Sequence, residues 1–192
     1  MKRIQLLFLA FVMMIGLAFT QQTASAQSYY YKWNGYSGGN YTFVTSKAFK
    51  NAVKYGKVTV NKRTVAGKMK PEAFEKSSEA MLEYGLMNPK LKSKYIQRKY
   101  DTVFILNDQM KVYAIDMPVK KGKITKQQFI KTYGKKYGEI QFKPGETSVN
   151  YKFKKHYFEG VFNKKNRLIR ISFSARVGGQ LEKDADSLLF GA

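Results

Sequence analysis

The chain has 192 residues, with 35 Lys and Arg against 13 Asp and Glu, one His and no Cys, for a formal net charge of +22. The missing cysteines exclude disulfides, a lipid-modified N-terminus and thiolate metal sites. The charge favours polyanionic partners (nucleic acid, anionic lipid or anionic wall polymers) without choosing among them.

The first 26 residues read as a secretory leader. Lys2 and Arg3 make a positive start, Leu6–Phe19 an apolar stretch, and Ala24-Ser25-Ala26 a small-residue cleavage signal. The stretch is shorter than the ~20 residues of a membrane-spanning helix. The mature protein is expected to be secreted or cell-surface associated, with no transmembrane segment. Residues 27–192 then form a single α+β domain, or two similar subdomains at about 27–99 and 100–192.

"SYYYKWNGYSGGNYTFV" predicts two short strands around the turns Asn34-Gly35 and Gly38-Gly39-Asn40. Tyr31, Trp33 and Tyr36 are candidate exposed aromatics. Thr45 or Ser46 can cap a helix with Phe49, Ala52 and Val53 on its apolar face and Gly56 at its stop. "KVTVNKRTVAG" alternates as a strand or tight hairpin. A second helix is expected over 70–85, with Pro71 in its first turn, Phe74, Met81 and Leu82 facing one way, and Gly85 ending it. Residues 86–99 read as a connector. "DTVFILN" and "QMKVYAIDM" form a hairpin across Asn107-Asp108.

Thr125 and Gln128 match a capping box, followed by Phe129, Ile130, Tyr133 and Tyr137 on one face. Strands at about 148–155, 157–163 and 167–175 complete an antiparallel meander. The fold class is α+β: an antiparallel sheet with a few helices packed on it, ending in a helix plus a three-stranded meander. In "YKFKKHYF", Val149, Tyr151 and Phe153 share one strand face, and Asn150, Lys152 and Lys154 the other. Ile169, Ile171 and Phe173 separate from Arg170, Ser172 and Ser174 in the same way. The aromatics are expected in the core and the lysines in solvent.

Charge is unevenly spread. Residues 27–71 hold nine basic and no acidic residues, 72–116 seven of each, and 117–181 sixteen basic against Glu139, Glu146 and Glu159. Packed together, the two basic segments would make one face. Its expected phosphate contacts are Lys126, Lys131, Lys135, Lys136, Lys152, Lys154, Lys164, Lys165, Arg167 and Arg170, with Lys120, Lys121 and Lys123 as a secondary basic loop. Such a surface binds phosphate without reading sequence.

Catalytic chemistry is poorly provided. His156 is the single histidine, no nucleophile elbow or phosphate-binding glycine loop occurs, and Glu72, Glu75, Glu79 and Glu83 fall at the spacing of a solvated helix face. No enzyme activity, metal or cofactor is expected.

"SYYYKWNGY", "SKAFKNAVKYGKVTVN", "ITKQQFIKTYGKK" and "HYFEGVFNKKNRLIRISF" resemble the immunodominant staphylococcal antigen B family over roughly residues 29–65 and 100–175. The chain departs from the pattern at about 66–99, which looks longer, and at Trp33, where Tyr is expected. The resemblance implies a secreted or surface-associated protein that binds nucleic acids without sequence preference. It identifies no binding residue. Expected partners are nucleic acid or another polyanion such as teichoic acid or a heparin-like polymer. The alternative is a cell-surface adhesion or host-interaction protein retained by anionic wall polymers, with a host protein as partner.

Overall fold

Period-two alternation builds the floor of the fold. In the computed structural model, which describes residues 29–86, 88 and 90–191, a seven-stranded antiparallel sheet runs in the order β4-β5-β6-β10-β9-β8-β7. Its strands are β4 (Ile96–Lys99), β5 (Thr102–Leu106), β6 (Val112–Pro118), β7 (Gly138–Lys143), β8 (Glu146–Lys152), β9 (His156–Asn163) and β10 (Leu168–Ala175). Phe104, Ile115, Ile171, Phe173, Phe158 and Val149 are buried on one face. A smaller sheet of β1 (Tyr31–Trp33), β2 (Val58–Val60) and β3 (Arg63–Thr64) packs over that face. The leader expected at 1–26 lies outside the described residues.

Two helices join the small sheet on this face. α1 (Lys47–Tyr55) starts where the Phe49 N–H donates to Ser46 Oγ and stops at Gly56, whose φ is 65°. It links β1 to β2, which pair in parallel, as a helical crossover permits. α3 (Lys126–Tyr133) carries the expected capping box: Gln128 N–H donates to Thr125 Oγ1 at 3.0 Å, and Thr125 N–H to Gln128 Oε1 at 2.9 Å. Phe129 presses onto Gly160, where a Cβ would lie 2.6 Å from the ring.

The opposite face carries α2 (Ser78–Leu86) and α4 (Gln180–Phe190). The Tyr84 hydroxyl donates to Asp116 Oδ2 at 2.9 Å, and the Tyr157 hydroxyl to Asp186 Oδ1 at 2.9 Å. At Gly138 a Cβ would sit 1.5 Å from the Leu189 carbonyl, so only glycine lets α4 lie this close. The main core cluster draws on both halves of the chain, from Val44, Phe49 and Val60 to Phe104, Phe129 and Phe173.

Several expectations change. The second N-terminal strand is a 3-10 turn, Thr42–Thr45. Phe43 and Val44 are consecutive and both enter the main core cluster, whereas consecutive residues of a strand point to opposite faces. The helix expected over 70–85 is broken into a 3-10 turn, Pro71–Phe74, and α2, with Gly85 inside α2 rather than at its stop. Asp108 fills the break, accepting the Lys76 N–H at 2.9 Å and the Ser77 N–H at 2.7 Å. The connector holds β4, residues 138–143 form β7, and the C-terminus adds α4, so the expected three-stranded meander has a fourth strand. A bulge between Leu168 and Arg170 shifts β10, and Leu168 rather than Ile169 joins Ile171 and Phe173 in the core. α3 ends before Tyr137, which packs beside Tyr151 from outside the helix.

Candidate nucleic-acid interface

The fold separates charge by sheet face. Burial of Phe49, Ala52 and Val53 turns Lys47, Lys50 and Lys54 of α1 outward, and burial of Phe129 leaves Lys131 exposed on α3. Lys135 and Lys136 follow α3 in solvent, and Lys32 and Lys62 are exposed on the small sheet. Both basic segments therefore contribute to one side of the molecule. Glu139 on this side is engaged by Lys126 at 2.7 Å. Asp101 at its margin is held by the N–H groups of Ser37 and Gly38 at 2.7–2.9 Å.

The opposite face concentrates acid. Asp116 and Glu159 flank Ser172 across neighbouring strands, beneath Glu79 and Glu83 of α2 and Glu182, Asp184 and Asp186 of α4. Burial raises the Asp116 carboxyl, although Arg170 at 3.4 Å and the Tyr84 hydroxyl pull it down. Burial raises Glu159 as well, with Arg170 again opposing. Glu182 behaves differently. Burial would raise it, but hydrogen bonds from Arg176 and Lys68 hold it below the usual carboxylate range. Arg176 meets Glu182 in a close ion pair and donates to the Phe153 and Lys154 carbonyls, tying α4 to the β8–β9 turn.

The ten expected phosphate contacts divide between these environments. Lys131, Lys135 and Lys136 are exposed on the α3 side. Lys126 is there too, paired with Glu139. Lys164 and Lys165 are exposed on the β9–β10 turn, and Arg167 is half-buried beside Thr125, so this turn adjoins the start of α3. Lys154 is exposed at the β8–β9 turn. Lys152 and Arg170 project to the other face, where Lys152 pairs with Asp186 and Glu182 and Arg170 with Asp116. Of the solvent stripe expected for Asn150, Lys152 and Lys154, both lysines are exposed, with Lys152 engaged by Asp186 of α4, and Asn150 is buried.

The secondary loop lies against the N-terminal segment. The Lys120 N–H donates to the Asn40 carbonyl at 2.8 Å, Lys121 is exposed, and Lys123 stands 6.0 Å from the Tyr41 ring centre. Lys123 and Lys131 border a shallow 310 Å³ depression with Tyr41. Among the candidate aromatics, Tyr31 packs edge-on to Phe49, Trp33 stacks on Phe43 at 4.8 Å, and only Tyr36 is exposed, at 68 %. Tyr30 and Tyr55 are the exposed rings beside cations, with Lys57 4.7 Å from the Tyr30 ring centre and Lys54 5.9 Å from that of Tyr55.

Lys47, Lys50 and Lys54 are absent from the ten, though the sequence carries their signal. Their i, i+3, i+7 spacing opposite Phe49, Ala52 and Val53 sets them on the exposed stripe of α1.

No helix among the described residues is long and apolar enough to cross a membrane. A family model for immunodominant staphylococcal antigen B matches residues 30–173, and the chain belongs to that family. No curated protein and no solved structure matches the chain.

Proposed function

We propose that this chain is an exported, non-enzymatic protein that binds extracellular DNA or RNA electrostatically, without sequence preference. One observation carries the reading. The acid-poor helices α1 and α3 lie on the same sheet face, while the acidic helices α2 and α4 lie on the other. A surplus of +22 with this sidedness gives a partner's backbone a cationic surface facing it. Contacts of this kind go to phosphate, which is common to all sequences.

The test is fluorescence anisotropy with labelled DNA across a salt series, with RNA, heparin and purified teichoic acid as competitors. Nucleic acid is expected to out-compete the other polyanions, with steep loss of affinity as salt rises. Equal displacement by every polyanion would reduce the face to general retention on anionic wall polymers.

A further inference from the structure

A groove of about 450 Å³ runs between α2 and α4 on the acid-bearing face of the large sheet. Ile105 and Tyr113 line its floor, Met81 and Leu82 of α2 one wall, and Leu181 and Ala185 of α4 the other. The polar groups beside it are already engaged. The Tyr157 hydroxyl donates to Asp186, and Glu182 is held by Arg176 and Lys68. What the groove offers a ligand is therefore apolar surface. That surface continues beyond the cavity: Leu82 is 63 % exposed, Leu181 53 % and Leu188 71 %. Contiguous exposed apolar surface rimmed by polar residues marks an interaction site.

We infer that the α2–α4 groove is a docking site for a cationic amphipathic helix of a protein partner. The inference goes beyond the nucleic-acid reading and does not rest on it. Shape selects a helix over a small ligand. Leu181, Ala185 and Leu188 fall at i, i+4 and i+7, a single stripe of α4 about 10 Å long. Ser78 and Leu82 repeat the i, i+4 spacing along the α2 wall. An amphipathic helix presents anchors at i, i+3, i+4 and i+7 over the same length, and lays them into a hydrophobic groove of this kind.

Charge selects the sign of the partner. Glu79 neighbours Leu82 at i, i+3 on α2, with Glu83 one turn further on, and Asp184 neighbours Leu181 and Leu188 at i+3 and i+4 on α4. All three acids are exposed and form no ion pair among the described residues. Lys183, two positions from Leu181, falls on the far side of α4. Lys68 and Lys152 are paired with the α4 acids Glu182 and Asp186. The lysines of α1 and α3 stand across the sheet, two layer spacings of about 10 Å away, beyond the roughly 8 Å over which charges act in physiological salt. An apolar stripe flanked by carboxylates takes an apolar stripe flanked by lysines or arginines, and repels a fatty-acid carboxylate or an anionic headgroup.

The probe is a labelled peptide of about 15 residues, the length at which isolated helices begin to form, built from Leu, Ala and Lys with its leucines in one stripe. Fluorescence anisotropy compares it with a scrambled order of the same residues and with a striped form carrying Glu in place of Lys. The expected result is saturable binding of the striped Lys form, about tenfold tighter than the scramble. It should also bind more tightly than the Glu form. A net charge of +22 alone would favour the Glu form, so the opposite preference reads the local acids. Leu82→Gln with Leu181→Gln alters two exposed side chains, so the double variant should fold as the parent does. It should bind the striped Lys form about tenfold more weakly and keep its affinity for duplex DNA within about twofold. No saturable binding, equal binding of the scramble, equal or tighter binding of the Glu form, or parent-like binding by the double variant overturns the docking site.

Discussion

Replacing Lys47, Lys50 and Lys54 by Gln tests the basic face where it owes most to the fold. All three are exposed on α1, and none forms an ion pair among the described residues, so the variant should fold as the parent does. Removing one lysine–phosphate interaction lowers the slope of log affinity against log salt by about 0.9. Removing three lowers it by about 2.7, so between about 50 and about 200 mM salt the variant should lose roughly 40-fold less affinity than the parent. Anisotropy with a labelled duplex at several salt concentrations reads this slope. Arg170→Gln is the control from the opposite face. It leaves Asp116 without its ion-pair partner, a loss of about 2 kcal/mol in stability for a charged hydrogen bond in a half-buried setting, with the slope unchanged once the protein is folded. An unaltered slope in the triple variant, or an equal change in folded Arg170→Gln, would refute the assignment of binding to the α1–α3 side.

Gly160→Ala pushes a methyl group against the Phe129 ring, and an overpacking loss of about 1–3 kcal/mol is expected in urea denaturation. Glu182→Gln weakens the links from Arg176, Lys68 and Lys152 to α4, so limited proteolysis should cut within 180–190 sooner than in the parent. His156 has a folded value of about 4 against an ordinary 6.5, so protonation favours the unfolded chain. Its contribution is present above pH 6.5 and diminishes as pH falls toward 4, by about 3 kcal/mol. Asp116 and Glu159 are raised on folding and act in the opposite sense as pH falls. The measurement is therefore the difference between parent and His156→Phe in urea midpoint across this range, which should grow in the variant's favour as pH drops.

Local signals in the sequence are reliable where one chemical feature decides the outcome. Ser46 and Gly56 bound α1, and Thr125 with Gln128 starts α3, because caps satisfy end groups within a few residues. The alternation of Val149 and Tyr151 marks their core face correctly. Alternation does not show the layer above the other face. Lys152 reads as a free solvent-facing cation, and it is exposed, but its pairing with Asp186 of α4 spans 34 positions. Likewise, Asp108 breaks the helix expected at 70–85 from a turn more than thirty residues away, beyond any window of local propensity. Strand periodicity places Arg170 and Lys152 on the correct face, but their partners there, Asp116 of β6 and Asp186 of α4, are invisible to it.

The acidic residues give the basic face its direction. Distributed evenly, 13 acids would neutralise lysines on every side and leave a diffuse surplus. Here Asp116, Glu159, Glu182 and Asp186 are engaged by Arg170, Arg176, Lys68, Lys152 and tyrosine hydroxyls, and these contacts hold α2 and α4 on the sheet. Acid is thereby committed to internal structure, and the lysines of α1 and α3 keep their charge for a partner. Disturbing the acidic face should cost stability, and disturbing the basic face should cost affinity. Charge variants that fail to divide in this way would show that the sidedness of the fold has no part in binding.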